Sequence, residues 1–130
     1  MQEIKIGTAF SVQTVVSTEN TALAVGSGEA AVFATPMMIA LMENAAYKCI
    51  KPFLEEHESS VGIDIHTSHE SATPVGLPVT ATATVTAGEG KIVTFSVEAF
   101  DTAGIIGRGE HKRAVVNTFK FVNRCYEKLQ

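Results

Sequence analysis

The chain has 130 residues, 45% of them hydrophobic and 18% charged, with a net charge of -4 at neutral pH. That length makes a single domain, residues 1–130, large enough to bury a real core. The acidic balance excludes a nucleic-acid binder that works by neutralising phosphates, and no apolar run reaches the roughly 18 residues of a membrane span.

In chain order, residues 3–17 are rich in Val, Thr and Ile and alternate loosely, predicting a first strand from about Gly7 to Val16. Residues 18–34 carry Gly26-Ser27-Gly28-Glu29 among small side chains, which suits a loop or lid. Thr35 reads as an N-cap and Pro36 as the first residue of a helix whose apolar pattern runs to Ile50. Lys51-Pro52 ends it, or kinks it into a brief restart through Glu56. Val61 to Ser71 reads as a strand. Val75 to Thr86 follows, with Val79, Ala81, Ala83 and Val85 opposite four threonines. Ala87 to Gly90 turns the chain, and Lys91 to Asp101 returns with Val93, Phe95, Val97 and Ala99 on one side. Ile105 to Val116 forms the last strand. The tail beyond Asn117 has helical spacing at Phe119, Val122, Tyr126 and Leu129, although Phe119 and Phe121 also share a strand face.

A helix apolar nearly all round needs cover on every side, so the sheet is expected to curl around it. The result is an α+β hotdog fold, an antiparallel sheet wrapped around one long central helix, with a short C-terminal helix. Its open sheet edge and helix ends call for a second copy, at least a homodimer. Met1-Gln2-Glu3-Ile4-Lys5 lacks the basic start and apolar core of a secretory signal. Cys49 and Cys125 lie too far apart for a zinc site and read as reduced thiols. Together these predict a cytoplasmic protein without a metal.

One residue breaks the helix's apolar run. Glu43 has Ile39, Ala40, Ala46 and Tyr47 three and four residues away, so no cation on the helix neutralises it. An unpaired buried carboxylate costs several kcal/mol, and a partner is expected from a later strand. Parity in the Val61 strand puts Val61, Ile63, Ile65, Thr67 and His69 on the inward face, with Gly62, Asp64 and His66 facing water. His69 is therefore the expected complement of Glu43. Such a pair activates water or orients a nucleophile; the plainer alternative is a core histidine bonded to a carbonyl. Thr35 is an N-cap, or its hydroxyl serves a substrate beside the free N–H groups of Met37 and Met38. Gly62 opens a strand or lets a ligand approach the backbone. His57, with Glu55 and Glu56, is read as solvated, and His111 as a surface residue of an edge-like strand. Arg108, Lys112 and Arg113 are candidates for contacting the phosphates of a nucleotide-bearing substrate.

Val32-Phe33-Ala34-Thr35-Pro36 with Leu41-Met42-Glu43, then His69-Glu70-Ser71-Ala72-Thr73-Pro74-Val75-Gly76, resembles the fluoroacetyl-CoA thioesterase type of hotdog thioesterase. Gly109 to Val116 looks like that family's last strand, and the spacings of eight residues from Thr35 to Glu43 and 26 from Glu43 to His69 fit its Thr, Glu and His. The resemblance implies hydrolysis of a small acyl-CoA with no cofactor, CoA being part of the substrate. Glu43 would be nucleophile or general base, His69 would orient and polarise, and Thr35 would position water or thioester. Gly62, Phe33, Pro36 and Arg113 would contact substrate. The lid phenylalanines of the fluoroacetyl-specific member have Gly26 and Glu29 in their place, so the resemblance implies the reaction class rather than the acyl group. Two rivals are a hydratase, which Asp64 and His69 serve poorly because their parity points them apart, and a non-catalytic acyl-CoA-binding module.

Overall fold

The computed structural model describes residues 1–130. Strand β1 (Ala9–Val15) leads to a short helix α1 (Ala22–Val25) and the long helix α2 (Thr35–Ile50), which runs into a 3₁₀ turn at Lys51–Phe53. Strands β2 (Glu58–Thr67), β3 (Pro78–Glu89), β4 (Ile92–Asp101) and β5 (Gly104–Asn117) follow, then helix α3 (Thr118–Tyr126) and a last 3₁₀ turn. The strands form one antiparallel sheet in the order β1-β3-β4-β5-β2, curled against α2. This is the hotdog arrangement.

The alternation in β3 and β4 builds the core. Val79, Ala81, Ala83 and Val85 pair in register with the inward residues of β4, Phe95, Val97 and Ala99 among them, and all are at most 1% exposed. They pack on Met38, Met42, Ala45, Ala46, Cys49 and Ile50 of α2. Alanines at the centre of the sheet let the helix approach closely, and each fully buried Met, Phe or Ile stabilises the fold by roughly 1.5–3 kcal/mol.

Two expectations change. The helix is not covered on all sides: Thr35, Pro36, Ala40 and Lys48 are exposed, and Ile39, Leu41, Glu43 and Tyr47 are half-buried. A five-stranded sheet spans only part of a helix's circumference, so the side of α2 turned from β3 and β4 stays open. Strand β2 starts earlier and ends at Thr67, and its register shifts between Gly62 and Asp64. Ile63 is the extra residue of this bulge, which reverses the parity. Before it Glu58 and Ser60 are buried, with Gly62 against the helix; after it Ile65 and Thr67 are half-buried. Ile63 itself is 52% exposed.

The chain turns at Gly90, with φ 59°, rather than across Ala87–Gly90, because β3 continues to Glu89. The tail is helical, and Asn117 caps it by accepting from the Lys120 N–H. No helix is long and apolar enough to cross a membrane.

Glu58 fastens the start of β2. Its carboxylate meets Lys91 Nζ at 2.8 Å and the Met1 amino nitrogen at 3.0 Å, and it accepts from the Glu55 N–H. The Lys91 contact, then the Glu55 N–H, holds its pKa down at about 2, against an ordinary 4.5. A carboxyl depressed in the folded state contributes stability above its unfolded value and loses it as pH falls from about 4.5 toward 2. Urea midpoints of Glu58→Gln should therefore lie below those of the wild type at pH 7, and the gap should narrow below about pH 4.5 and close only as the pH approaches 2. A constant offset across that range would dissociate Glu58 from the acid sensitivity.

Candidate active site

Helix α2 begins one residue earlier than the cap reading expects. Ala34 is the N-cap and makes no side-chain cap bond; Thr35 is the first helical residue and Pro36 the second. The Thr35 hydroxyl is thus released from capping. It lies 2.7 Å from His69 Nδ1. The N–H groups of Met37 and Met38, expected to be free, both donate to the Ala34 carbonyl at 3.0 Å. Proline has no N–H, so Thr35 holds the one first-turn amide that meets no acceptor in the chain.

His69 sits beyond the end of β2, in a loop held on both sides by β5. The Ser68 N–H donates to the Arg108 carbonyl, and the Glu70 and Ser71 N–H groups converge on the Ile106 carbonyl. Around this, the Ser68 hydroxyl donates to Glu70 Oε2 at 2.6 Å and Arg108 Nε reaches the same oxygen at 3.1 Å. The Ser68 hydroxyl, and then Arg108, hold the exposed Glu70 carboxyl below its usual range. Arg108 is therefore committed to Glu70. Burial lowers the His69 pKa, with the Ser71 backbone acting weakly the other way. Its Nε2 is buried and has no hydrogen-bond partner. A buried polar atom left unpaired in a cleft is best explained by a partner that arrives from outside the chain.

Phe33 is buried behind this pair, 2% exposed, and its N–H donates to the Thr73 carbonyl. It also bridges Thr21, so residues 22–32 form a compact surface loop with closed ends, containing α1. Thr21 caps α1 through the Ala24 N–H, and Gly26, with φ 80°, ends it. Ala22, Ser27, Val32, Phe33, Thr35 and His69 line a cleft of about 280 Å³ together with Glu70, Ser71 and Ala72. Pro36 is exposed beside it.

Glu43 lies elsewhere. Eight residues along a helix is about 12 Å from Thr35, so within one chain Glu43 does not meet His69. Its cationic partner is Arg113 of β5, Nη1 to Oε2 at 3.0 Å. Arg113 is only 6% exposed, and its other N–H groups go to the Ser60 hydroxyl at 2.9 Å and the Ser60 carbonyl at 3.0 Å. Burial lowers its pKa while Glu43 opposes the shift. A guanidinium so engaged is not a free phosphate ligand, which corrects the expectation for Arg113. His111, expected at the surface, is 1% exposed and lies under Glu43, with Nε2 at 3.9 Å from Oε2. Burial pushes its pKa down. The Glu43 side chain remains 42% exposed, facing a second cleft of about 330 Å³ lined by Gly62, Ile63, Asp64, Ile65 and His111.

The inward placement of these two residues carried a signal. Arg113 and His111 share parity with Val115, and β5 lies inside the sheet between β4 and β2. The charges around them, Arg108, Glu110 and Lys112, made the strand read as an edge.

A helix wrapped by an antiparallel sheet, with an imidazole–hydroxyl pair at its N-terminus and a carboxylate at its open side, places the chain in the class of hotdog thioesterases. The family described as fluoroacetyl-CoA-specific thioesterase matches residues 16–118. The chain belongs to that family and is a thioester hydrolase. It is 42% identical over 97 residues to the fluoroacetyl-CoA thioesterase of Streptantibioticus cattleyicolor, covering 75% of this chain and 70% of that protein. A threonine-to-serine variant of fluoroacetyl-CoA thioesterase, solved in complex with acetyl-CoA, superposes with a TM-score of 0.93 at 34% identity, over 98% of this chain and 100% of that one. A Thermus thermophilus thioesterase superfamily member superposes with a TM-score of 0.90 at 32% identity, over 99% and 95% of the two chains.

Gly62 decides how the carboxylate is seated. A Cβ there would collide with Glu43 Oε2 and stand 3.2 Å from His111 Cε1. Gly62→Ala should push Glu43 out of its place and cost about 1–3 kcal/mol of stability. Urea denaturation measures the cost. An unchanged midpoint would mean that the carboxylate swings away freely.

Proposed function

We propose that the protein hydrolyses a small acyl-CoA thioester to the free acid and CoA. Glu43 is the catalytic carboxylate, and His69 and Thr35 hold the thioester or the attacking water. The observation that carries this reading is the seating of Glu43. One oxygen is fixed by Arg113 against Gly62, while the side chain still opens onto a cleft. A carboxylate kept largely for structure would be closed off by its partners; this one is paired and accessible.

The reaction replaces the C–S bond of the thioester by a C–O bond whose oxygen comes ultimately from water. Glu43 attacks the carbonyl itself or takes a proton from the water that does. In both routes the carbonyl oxygen gains negative charge, and two groups at the first cleft suit it: the unpaired Thr35 N–H and, as a donor, His69 Nε2. The Thr35 hydroxyl, bonded to Nδ1, orients the ring. The departing thiolate takes up the proton released by the water. No step needs a metal or an organic cofactor.

The two halves of the site lie apart within one chain, and a homodimer reconciles them. Strand β2 is a free sheet edge beside the Glu43 cleft, and the open side of α2 presents Ile39 and Ala40. Pairing two copies there sets the Glu43 of one against the Thr35–His69 pair of the other, with a two-fold axis making two equal sites. Relatives act on fluoroacetyl-CoA or were solved with acetyl-CoA bound. The first cleft has Phe33 as its only aromatic lining residue, and Gly26 and Glu29 add no ring from the lid. We therefore assign a small acyl group without preference for fluorine.

Thiol release from a panel of short acyl-CoAs tests this. Glu43→Ala should lower turnover at least about 100-fold, the order expected on losing one acid–base group. Full activity in Glu43→Gln would remove the assignment, and binding without turnover in the wild type would make the protein a carrier. A mixture of two inactive variants, Glu43→Ala and His69→Ala, should regain about a quarter of wild-type activity if each site draws on both copies, since half the dimers are mixed and each has one intact site. No recovery on mixing would put both groups in one chain's site.

A further inference from the structure

Beneath Glu43, His111 makes two contacts whose polarities define its state. Nδ1 lies 2.8 Å from the Asp64 carbonyl oxygen, which only accepts, so Nδ1 carries the hydrogen. Nε2 lies 3.1 Å from Arg113 Nη1, which only donates, so Nε2 is bare. The ring is a neutral Nδ1–H tautomer, buried to 1% and stacked on Phe95 with 6.0 Å between centroids. That same Nη1 also donates to Glu43 Oε2. With Nε and Nη2 on Ser60, the guanidinium is fixed from three sides and offers the carboxylate Nη1 alone.

We propose that His111 is a positioning residue for catalysis. By accepting from Arg113, it turns the guanidinium so that Glu43 is held through Oε2 only, which leaves Oε1 uncommitted as the reacting oxygen. Without that acceptor one of the three restraints is gone, and Arg113 can tilt, at the expense of its Ser60 bonds, toward the two-pronged grip that guanidinium and carboxylate prefer, engaging both oxygens. The inference rests on the reading of Glu43 as the catalytic carboxylate and adds which oxygen works and what keeps it free.

The surroundings agree. His111 faces Asp64 from β2, Arg113 on its own strand, Glu43 from α2 and Phe95 from β4. Burial, reinforced by the nearby Arg113 charge, favours the neutral ring over the pull of Glu43 and Asp64. A protonated ring would aim a second donor at Arg113 and break the arrangement.

The test compares His111→Phe, which fills the space and makes neither hydrogen bond, with His111→Gln, whose amide supplies an acceptor and a donor. His111→Phe should lower kcat by about 10- to 100-fold, the scale of loss from a small misplacement remote from the reacting atoms. KM should change little, because His111 touches no substrate. His111→Gln should recover most of kcat. Nitrogen-15 shifts of His111 in the wild-type protein should report Nδ1–H at neutral pH, a readout that does not depend on any variant folding. A cationic ring or an Nε2–H tautomer would overturn the proposal, as would an unchanged kcat in folded His111→Phe or a glutamine variant no better than phenylalanine. These failures would leave the catalytic carboxylate standing provided Glu43→Ala is inactive; a fully active Glu43→Ala would bring down both.

Discussion

Glu43 on the central helix and Arg113 on β5 meet at 3.0 Å, between the layers of the fold, and the buried guanidinium would not be tolerable there alone. A buried charge left isolated costs several kcal/mol, and removing Glu43 would leave Arg113 with that cost. The pair therefore dictates much around it. Ser60 must turn its hydroxyl and carbonyl toward the guanidinium, position 62 must lack a side chain, and His111 must be a bare acceptor at Nε2. The β2 bulge at Ile63 follows from the same demand, since it lets residues before and after it meet the interior on opposite parities.

The functional groups are distributed along α2 rather than gathered at one point. Thr35 and His69 occupy the helix N-terminus and Glu43 its middle, each at its own cleft on the side the sheet leaves open. A helix covered on one side by five strands is an unfinished structure, and the same open face that lacks cover carries the reactive groups. In this reading burial and chemistry have one solution, because a second copy would close the helix and complete the site together. The lid loop is tied at both ends, through Thr21–Phe33 and Val32–Pro74, so the first cleft has a defined wall.

Much of this was legible in the order of residues. The alternation of Val79 to Val85 and of Val93 to Ala99, and the Pro36 start of α2, fixed three elements and the core side of each. Thr35, Glu43 and His69 stood out as types and spacings. Their pairing did not. Strand parity aimed His69 at Glu43 because parity says nothing about distance along a helix; the Ile63 bulge, which leaves no mark in the sequence, instead hid that Ser60 and Gly62 face the interior. Arg113 reads as a phosphate ligand and His111 as a surface residue, since a strand bearing five ionisable residues within six positions looks solvated. Two of the five, His111 and Arg113, point inward.

Sequence alone determined the architecture, because periodicity depends only on near neighbours along the chain; the reaction class came through the resemblance of the segments around Thr35, Glu43 and His69 to a known family. Which charge answers which was decided by the tertiary structure. Arg113 is 70 residues from Glu43, and their contact exists only where β5 lies next to β2 and both face the helix. Ion pairing depends on distances of a few ångströms, and only the folded sheet brings those residues within them.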